Sequence, residues 1–284
     1  MTVDGPPDHV LTAFGLTGLR PVPLGMSWEG GWRCGEVVLS MVAEPARAAW
    51  SAKVRETLFV DGVRLARPVR STDGRYVVAG WRADTFVTGS PEPRHDEVVS
   101  AAVRLHEATA KLERPRFLTQ PPAVPWTEVD VFIAADRAAW EDRPLHALPP
   151  GAQVAPGSAD GQRSVELIKA LAALRKPTRA PSQLVHGDLY GTVLFAGTAA
   201  PGITDITPYW RPASWAAGVV VVDALAWGEA DDGLVERWSP LPEWPQMLLR
   251  ALMFRLAVHA LHPRSTAAAF PGLARTAALV RLVL

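Results

Sequence analysis

LVHGDLYGTVLF, residues Leu184 to Phe195, is the stretch of this chain whose reading decides the fold. An apolar pair, Leu184-Val185, runs into His186-Gly187-Asp188, and the chain turns apolar again at Val193-Leu194-Phe195. Apolar runs on either side of a polar turn read as two short strands. The flanks pull the segment into a core, so a carboxylate carried there must be compensated. Asp205 follows in the same manner, after Ile203-Thr204. Carboxylates at the ends of short neighbouring strands suit a division of labour: one accepts a proton and one holds a divalent cation. Both also read as turn or capping aspartates, and the pattern alone leaves these alternatives open.

Composition narrows the field. A length of 284 residues allows one large or two modest domains. With 48% hydrophobic and 20% charged residues, general disorder is excluded. Basic and acidic residues number 29 each, so the formal net charge is zero. Binding to nucleic acid or to a membrane surface through bulk charge is therefore not expected. The single cysteine, Cys34, cannot form an internal disulfide and excludes a multi-cysteine zinc site. The opening residues MTVDGPPDHV lack the basic-then-apolar pattern of an export signal. The most apolar run, Trp215 to Trp227, contains Asp223 and is shorter than the ~20 residues of a membrane span. A soluble, cytoplasmic protein is expected. Only Lys53, Lys111, Lys169 and Lys176 stand against 25 arginines. GC-rich codon usage explains that bias, yet it limits which lysine can do chemistry.

Residues 20 to 88 read as β structure. Val37 to Val42, Val63 to Val69 and Arg75 to Trp81 are strand candidates, and Ser71-Thr72-Asp73-Gly74 predicts a hairpin between the last two. Gly25 to Gly35 (GMSWEGGWRCG) is a glycine-rich turn. Ala46, Trp50, Val54 and Leu58 recur every four residues and predict a helix over Pro45 to Phe59. A helix is expected from Asp96 to Leu112, a short one from Val131 to Trp140, and another from Ser164 to Leu174. Short strands are expected at Leu184–Val185, Val193–Phe195 and Ile203–Ile206, with a mostly helical remainder from Trp215. The shift from β-rich to α-rich composition near residue 89 is the best boundary.

No GxxxxGK[ST] loop, GxGxxG, HExxH, CxxC or GxSxG motif is present. The ordered set that is present resembles the aminoglycoside phosphotransferase and choline kinase-like group, distant relatives of the protein kinases. The likeness spans nearly the whole chain: glycine-rich turn, single helix between strands, Tyr76 to Asp84 as last strand and hinge, Leu105-His106, HGDL at 186–189, Asp205, and Val222-Asp223-Ala224-Leu225-Ala226. The resemblance implies an α+β, bilobal protein kinase-like fold. A small β-rich N-lobe would cover residues 1–88 and a larger, mainly helical C-lobe residues 89–284. It also implies ATP, Mg²⁺ and a small-molecule acceptor, without nucleic acid or membrane as partner. Asp188 would be catalytic base or orienting group, His186 would tie the catalytic loop to the metal segment, and Asp223 would brace that loop. Asp205 would ligate Mg²⁺, joined by Thr192. Gly30, Gly31, Ser40, Lys53, Gly80 and Trp81 would contact the nucleotide. Such phosphoryl transfer rests on positioning and charge neutralisation.

The sequence departs from that pattern in three places. Ser40 stands where the phosphate-binding lysine belongs, and a hydroxyl cannot neutralise phosphate charge. Lys53 is the lysine able to replace it, beside Glu56, but it reads more readily as a solvated helix residue. Arg33 and Arg55 are further candidates, provided that they point inward. The position five residues after Asp188 is Val193 rather than asparagine, and matching VLF puts Thr192 there in a shortened loop. Asp205 is followed by Ile-Thr-Pro-Tyr-Trp-Arg-Pro, stiffened by Pro208 and Pro212. Tyr209, Trp210, Arg211 and Trp215 would line an acceptor pocket or pack the segment down. Asp136, Glu141 and Asp142 are too few to argue for a cationic acceptor. Two readings follow: an ATP-dependent phosphotransferase acting on a small hydroxylated molecule, or a degenerate kinase fold that binds without catalysis. A third is an unrelated α+β protein with a chance HGD. The apolar end, Ala277 to Leu284, is expected to be a core helix.

Overall fold

The computed structural model describes residues 5–119, 128–141 and 159–284. Asp142 lies outside them. The chain forms two compact units, one of Met1–Phe117 with Leu184–Tyr209, the other of Leu118–Gln183 with Trp210–Leu284.

The first unit opens with α1 (Asp8–Ala13), β1 (Val22–Pro23), β2 (Trp32–Cys34), β3 (Val37–Met41) and α2 (Pro45–Thr57). It continues with β4 (Arg64–Leu65), β5 (Pro68–Val69), β6 (Val77–Val78), β7 (Trp81–Thr85) and α3 (His95–Thr109). An antiparallel sheet runs β1-β2-β3-β7-β5, with β6 also on β7. The period of two along β3 sorts its side chains between two cores. Leu39 joins Val10, Leu11, Phe14, Cys34 and Trp81 in one cluster. Val38 joins Trp28, Ala66, Val87 and Leu194 in the other. Directly opposed residues share a face. The pairs Val38↔Asp84 and Ser40↔Arg82 therefore aim Asp84 and Arg82 toward the second cluster's side of the sheet.

The hairpin expected at Ser71 to Gly74 forms elsewhere. Residues 71–75 close a local turn, Gly74 N–H donating to Ser71 and Ser71 N–H to Arg75. β5, however, pairs with β7, and the hairpin is β6–β7, turned by Ala79 (φ 48°) and Gly80 (φ 78°). Two consecutive left-handed residues give a turn whose twist matches antiparallel strands, a stronger constraint than the Asp-Gly pair exerts here. Later in the chain β8 (Gln183–His186) pairs with β10 (Pro208–Arg211), and β9 (Gly202–Ile203) runs parallel to β4. The strand expected at Val193–Phe195 is reduced to the single bridges Ser90↔Phe195 and Leu194↔Gly202.

The second unit is helical: α4 (Glu128–Trp140), α5 (Ala159–Ala172), α6 (Ala213–Trp227), α7 (Leu234–Arg237), α8 (Trp244–Leu261) and α9 (Phe270–Leu282). α8 packs against α4, α5, α6 and α9. α6 and α8 carry apolar residues on every side and are buried along most of their length, as that pattern requires. Inside them Arg255 holds both oxygens of Asp223, at 2.7 and 2.5 Å. Arg211 and Asp136 form a similar fork at 2.7 and 2.6 Å. The apolar end is a core helix through Ala277 and Val280, while Leu282 is exposed. No helix among the described residues is long and apolar enough to cross a membrane.

α9 approaches α6 so closely at Gly272 that a methyl group there would collide with the Ala226 carbonyl. Gly272→Ala is expected to destabilise the protein by about 1–3 kcal/mol through forced separation of the two helices. Thermal unfolding followed by circular dichroism checks it; an unchanged Tm would mean that the helices do not meet there.

Candidate active site

The site grows from the end of β8. Leu184 and Val185 are buried, and Thr109 of α3 donates its hydroxyl to the Leu184 carbonyl at 2.8 Å. His186 N–H donates to His106 Nε2 at 3.0 Å, and Asp188 N–H donates to His186 Nδ1 at 3.1 Å. Nδ1 is thus an acceptor, so the neutral ring carries its proton on Nε2. The ring also hydrogen-bonds the backbone of Asp205. One buried imidazole therefore joins the 186–188 turn to the Asp205 segment. Asp188 itself is exposed at the tip. Thr192 closes the turn, its hydroxyl donating to the Asp188 carbonyl at 3.1 Å and the Leu189 carbonyl at 3.0 Å.

Asp205 lies in a different environment. Ser51 on α2 donates its hydroxyl to Oδ1 at 2.6 Å, Arg55 Nε is 3.3 Å from the same oxygen, and Arg82 Nη1 donates to Oδ2. Burial alone would raise this carboxyl, but the Arg82 and Arg55 guanidinium groups hold it well below the usual range. Arg55 is wholly buried. Its Nη1 donates to Asp84 Oδ1 at 2.7 Å, the Ala66 carbonyl at 2.8 Å and the Thr204 carbonyl at 3.2 Å. Arg82 reaches Glu29 at 3.2 Å through Nη2 and lies 3.4 Å from Asp84 through Nε. Ser51 and Arg55 stand one helical turn apart on the inward face of α2, whereas Lys53 between them is exposed.

The glycine-rich turn folds onto this cluster. Met26–Trp28 forms a 3₁₀ turn and Gly30 takes a left-handed backbone, φ 68°. Gly31 sits where a Cβ would stand 2.6 Å from Ser40 Oγ, so only glycine fits. Thr204 Oγ1 donates to the Ser27 carbonyl at 3.2 Å. Trp28 is buried and stacks on Phe86, ring centroids 5.8 Å apart.

The structure thus brings together His186, Asp205, Gly31 and Ser40 around Arg55 and Arg82, with Asp188 and Thr192 on the adjoining turn. Lys53 points away from them. Gly80 is the hairpin turn and Trp81 is a core residue, because β7 begins at Trp81 and ends at Thr85. The segment following the last strand is therefore Phe86 onward. Sequence reasoning missed Arg82, Glu29, Ser51 and Asp84; Arg55 met its stated condition of pointing inward. The donor set does not fit a divalent cation as it stands. Both Asp205 oxygens carry cationic or hydroxyl donors, Thr192 is turned to its own backbone, and no group of three His, Cys, Asp or Glu side chains among the described residues could hold a metal.

Replacing Arg55 by leucine leaves the buried Asp84 carboxylate with Arg82 alone, at 3.4 Å, and takes a cation from Asp205; urea denaturation of Arg55→Leu should show a loss of about 3–5 kcal/mol. A second expectation concerns acid. Burial first, offset in part by Asp188 and Asp205, lowers the His186 pKa from 6.5 to about 4. Between those values the unfolded chain holds a proton that the folded chain refuses, so stability rises with pH. It is fully present above pH 6.5 and drains away on acidification toward pH 4, by about 3 kcal/mol for this one group. Denaturation of wild type and His186→Asn at pH 7 and pH 5 checks this: the variant should be less stable at pH 7 and show the shallower dependence.

No protein-family model and no curated protein matches the sequence. Solved structures do. A microcompartment-associated aminopropanol kinase superposes with TM-score 0.58 at 17% identity, over 96% of this chain and 94% of its own. An aminoglycoside phosphotransferase from Alicyclobacillus acidocaldarius gives 0.54 at 16% identity, over 99% and 93%. Aminoglycoside phosphotransferase APH(4)-Ia, in a ternary complex with AMP-PNP and hygromycin B, gives 0.52 at 14% identity, over 93% of each chain. Over nearly its whole length, this chain has the kinase-like α+β fold shared by aminoglycoside phosphotransferases and the aminopropanol kinase.

Proposed function

We propose that the chain is a nucleotide-dependent phosphotransferase acting on the hydroxyl of a small molecule. The observation that carries this reading is the His186 bridge. It ties the backbone of Asp188, whose side chain is exposed, to the segment that bears Asp205. Asp188, at the tip of a turn held from below, orients an acceptor hydroxyl and takes its proton. The objection that Ser40 cannot meet phosphate charge loses its force, because Arg82 is directly opposite Ser40 on the next strand. A guanidinium matches phosphate geometry at least as well as an ammonium. Phe86, Val38 and Ala66 offer the apolar surface that a base needs. The nucleotide supplies the phosphoryl group, as the AMP-PNP and ADP complexes of APH(4)-Ia suggest for proteins of this fold. Such a reaction belongs in the cytoplasm, where nucleoside triphosphate is at hand. No step here runs through Mg²⁺, since Asp205 already carries two guanidinium groups.

A second reading, a degenerate module that binds without turnover, is favoured by one feature: Thr192, in the place of the asparagine, spends its hydroxyl on the turn's own carbonyls. Phosphoryl transfer to a panel of amino alcohols and hydroxylated antibiotics separates the two. The enzyme reading expects Asp188→Asn to lose at least about 10²-fold in turnover with nucleotide affinity kept. Wild type and Asp188→Asn indistinguishable with every acceptor would establish the degenerate module. Turnover that requires Mg²⁺ and vanishes in Asp205→Ala would restore a cation role to Asp205.

A further inference from the structure

We propose that Trp28 and Glu29 of the glycine-rich turn act as an internal ligand of this site, the indole standing in for a nucleobase and the carboxylate for a phosphate. The proposal rests on the nucleotide reading above and adds its regulation. Trp28 lies in the slot that a base would use. Its ring stacks on Phe86, the first residue beyond the last strand, and packs with Val38, Ala66, Val87 and Leu194. The next residue, Glu29, sets its carboxylate 3.2 Å from Arg82, the cation opposite Ser40. A planar π system joined by a short link to an anion, on an aromatic face and a guanidinium respectively, is the chemistry of a nucleotide.

The turn is built to hold that pose and to leave it. Thr204 Oγ1 grips the Ser27 carbonyl at 3.2 Å. Glu29 itself sits in the left-handed region at φ 54°, a conformation that a non-glycine residue adopts at a cost and only when its surroundings impose it. Gly25 and Gly30 flank the pair and provide the backbone freedom for release. The Glu29 side chain is 54% exposed, so of the acids around Arg82 it is the one for which water competes directly. A phosphate brings more charge to Arg82 than one carboxylate does, and a purine offers a face to Phe86. A nucleotide thus displaces the turn by competing at both ends. The apparent dissociation constant is the intrinsic one divided by the fraction of molecules with the turn open, so a turn closed nine-tenths of the time weakens binding about tenfold.

Calorimetric titration of adenosine and of ATP into wild type, Trp28→Ala and Glu29→Gln tests it. Trp28→Ala should bind both ligands about tenfold more tightly than wild type, since it empties the base slot. Glu29→Gln should bind ATP more tightly, by at least about threefold, and adenosine no differently, since it frees only the cation. That split by ligand is not expected from mere loosening of the turn. If Trp28→Ala does not fold, Glu29→Gln carries the test through the ATP-to-adenosine ratio. Equal affinities across the proteins would overturn the internal ligand while leaving the nucleotide reading in place. No binding of ATP by any of them would overturn the nucleotide reading, and the internal ligand with it.

Discussion

A guanidinium with no surface in water needs acceptors, and those that Arg55 collects through Nη1 and Nε organise the first unit. One side chain gathers Asp84 from β7, the carbonyls of Ala66 and Thr204, and the Asp205 carboxylate through Nε. Helix α2, the sheet and the 204–205 segment are thereby pinned to a common point. The arrangement also explains Ser40. Arg82 lies directly across from it on β7. A lysine at position 40 would set two like charges opposite each other, with Arg55 close behind, and cross-strand pairs of like charge destabilise a sheet. Helix α2 carries the base, Arg55, and strand β7 carries the acid, Asp84.

Much of this was legible because it was local. HGD between apolar runs, and Asp205 after Ile203, gave away short strands ending in charge. The four-residue period of Ala46, Trp50, Val54 and Leu58 gave α2 to within two residues of its end. Its inward face was not legible: Ser51, Ala52 and Arg55 are buried, whereas Ala46 is exposed and Trp50, Val54 and Leu58 are half-buried, so the apolar stripe points away from the side that carries the inward arginine. Arg82 was not legible either. Its significance depends on the register of β3 against β7, which no short-range pattern encodes, and among 25 arginines one more carries no signal. Gly80 and Trp81 were misplaced for a related reason. The left-handed Ala79-Gly80 pair shifts the hairpin, and the last strand runs four residues further than the apolar pattern of 75–81 implied.

The charges of the site argue for a resting state that excludes stray anions. Arg55 and Arg82 face Asp84, Asp205 and Glu29, so carboxylates outnumber guanidinium groups. Three of these acids reach Arg82 itself. A small anion arriving alone meets an excess of negative charge at close range, and Coulomb repulsion there is poorly screened because Asp205, Asp84 and Arg82 are largely dry. Asp84 and Asp205 cannot leave, since each also compensates the buried Arg55. Glu29 alone sits on a glycine-flanked turn and faces water. Whatever anion reaches Arg82 must therefore exchange with Glu29. The Trp28 stack on Phe86 is a separate contact of the same turn, so admission of charge at the cation is set by which one of the three acids the fold leaves free to move, and opening of the apolar slot by the indole.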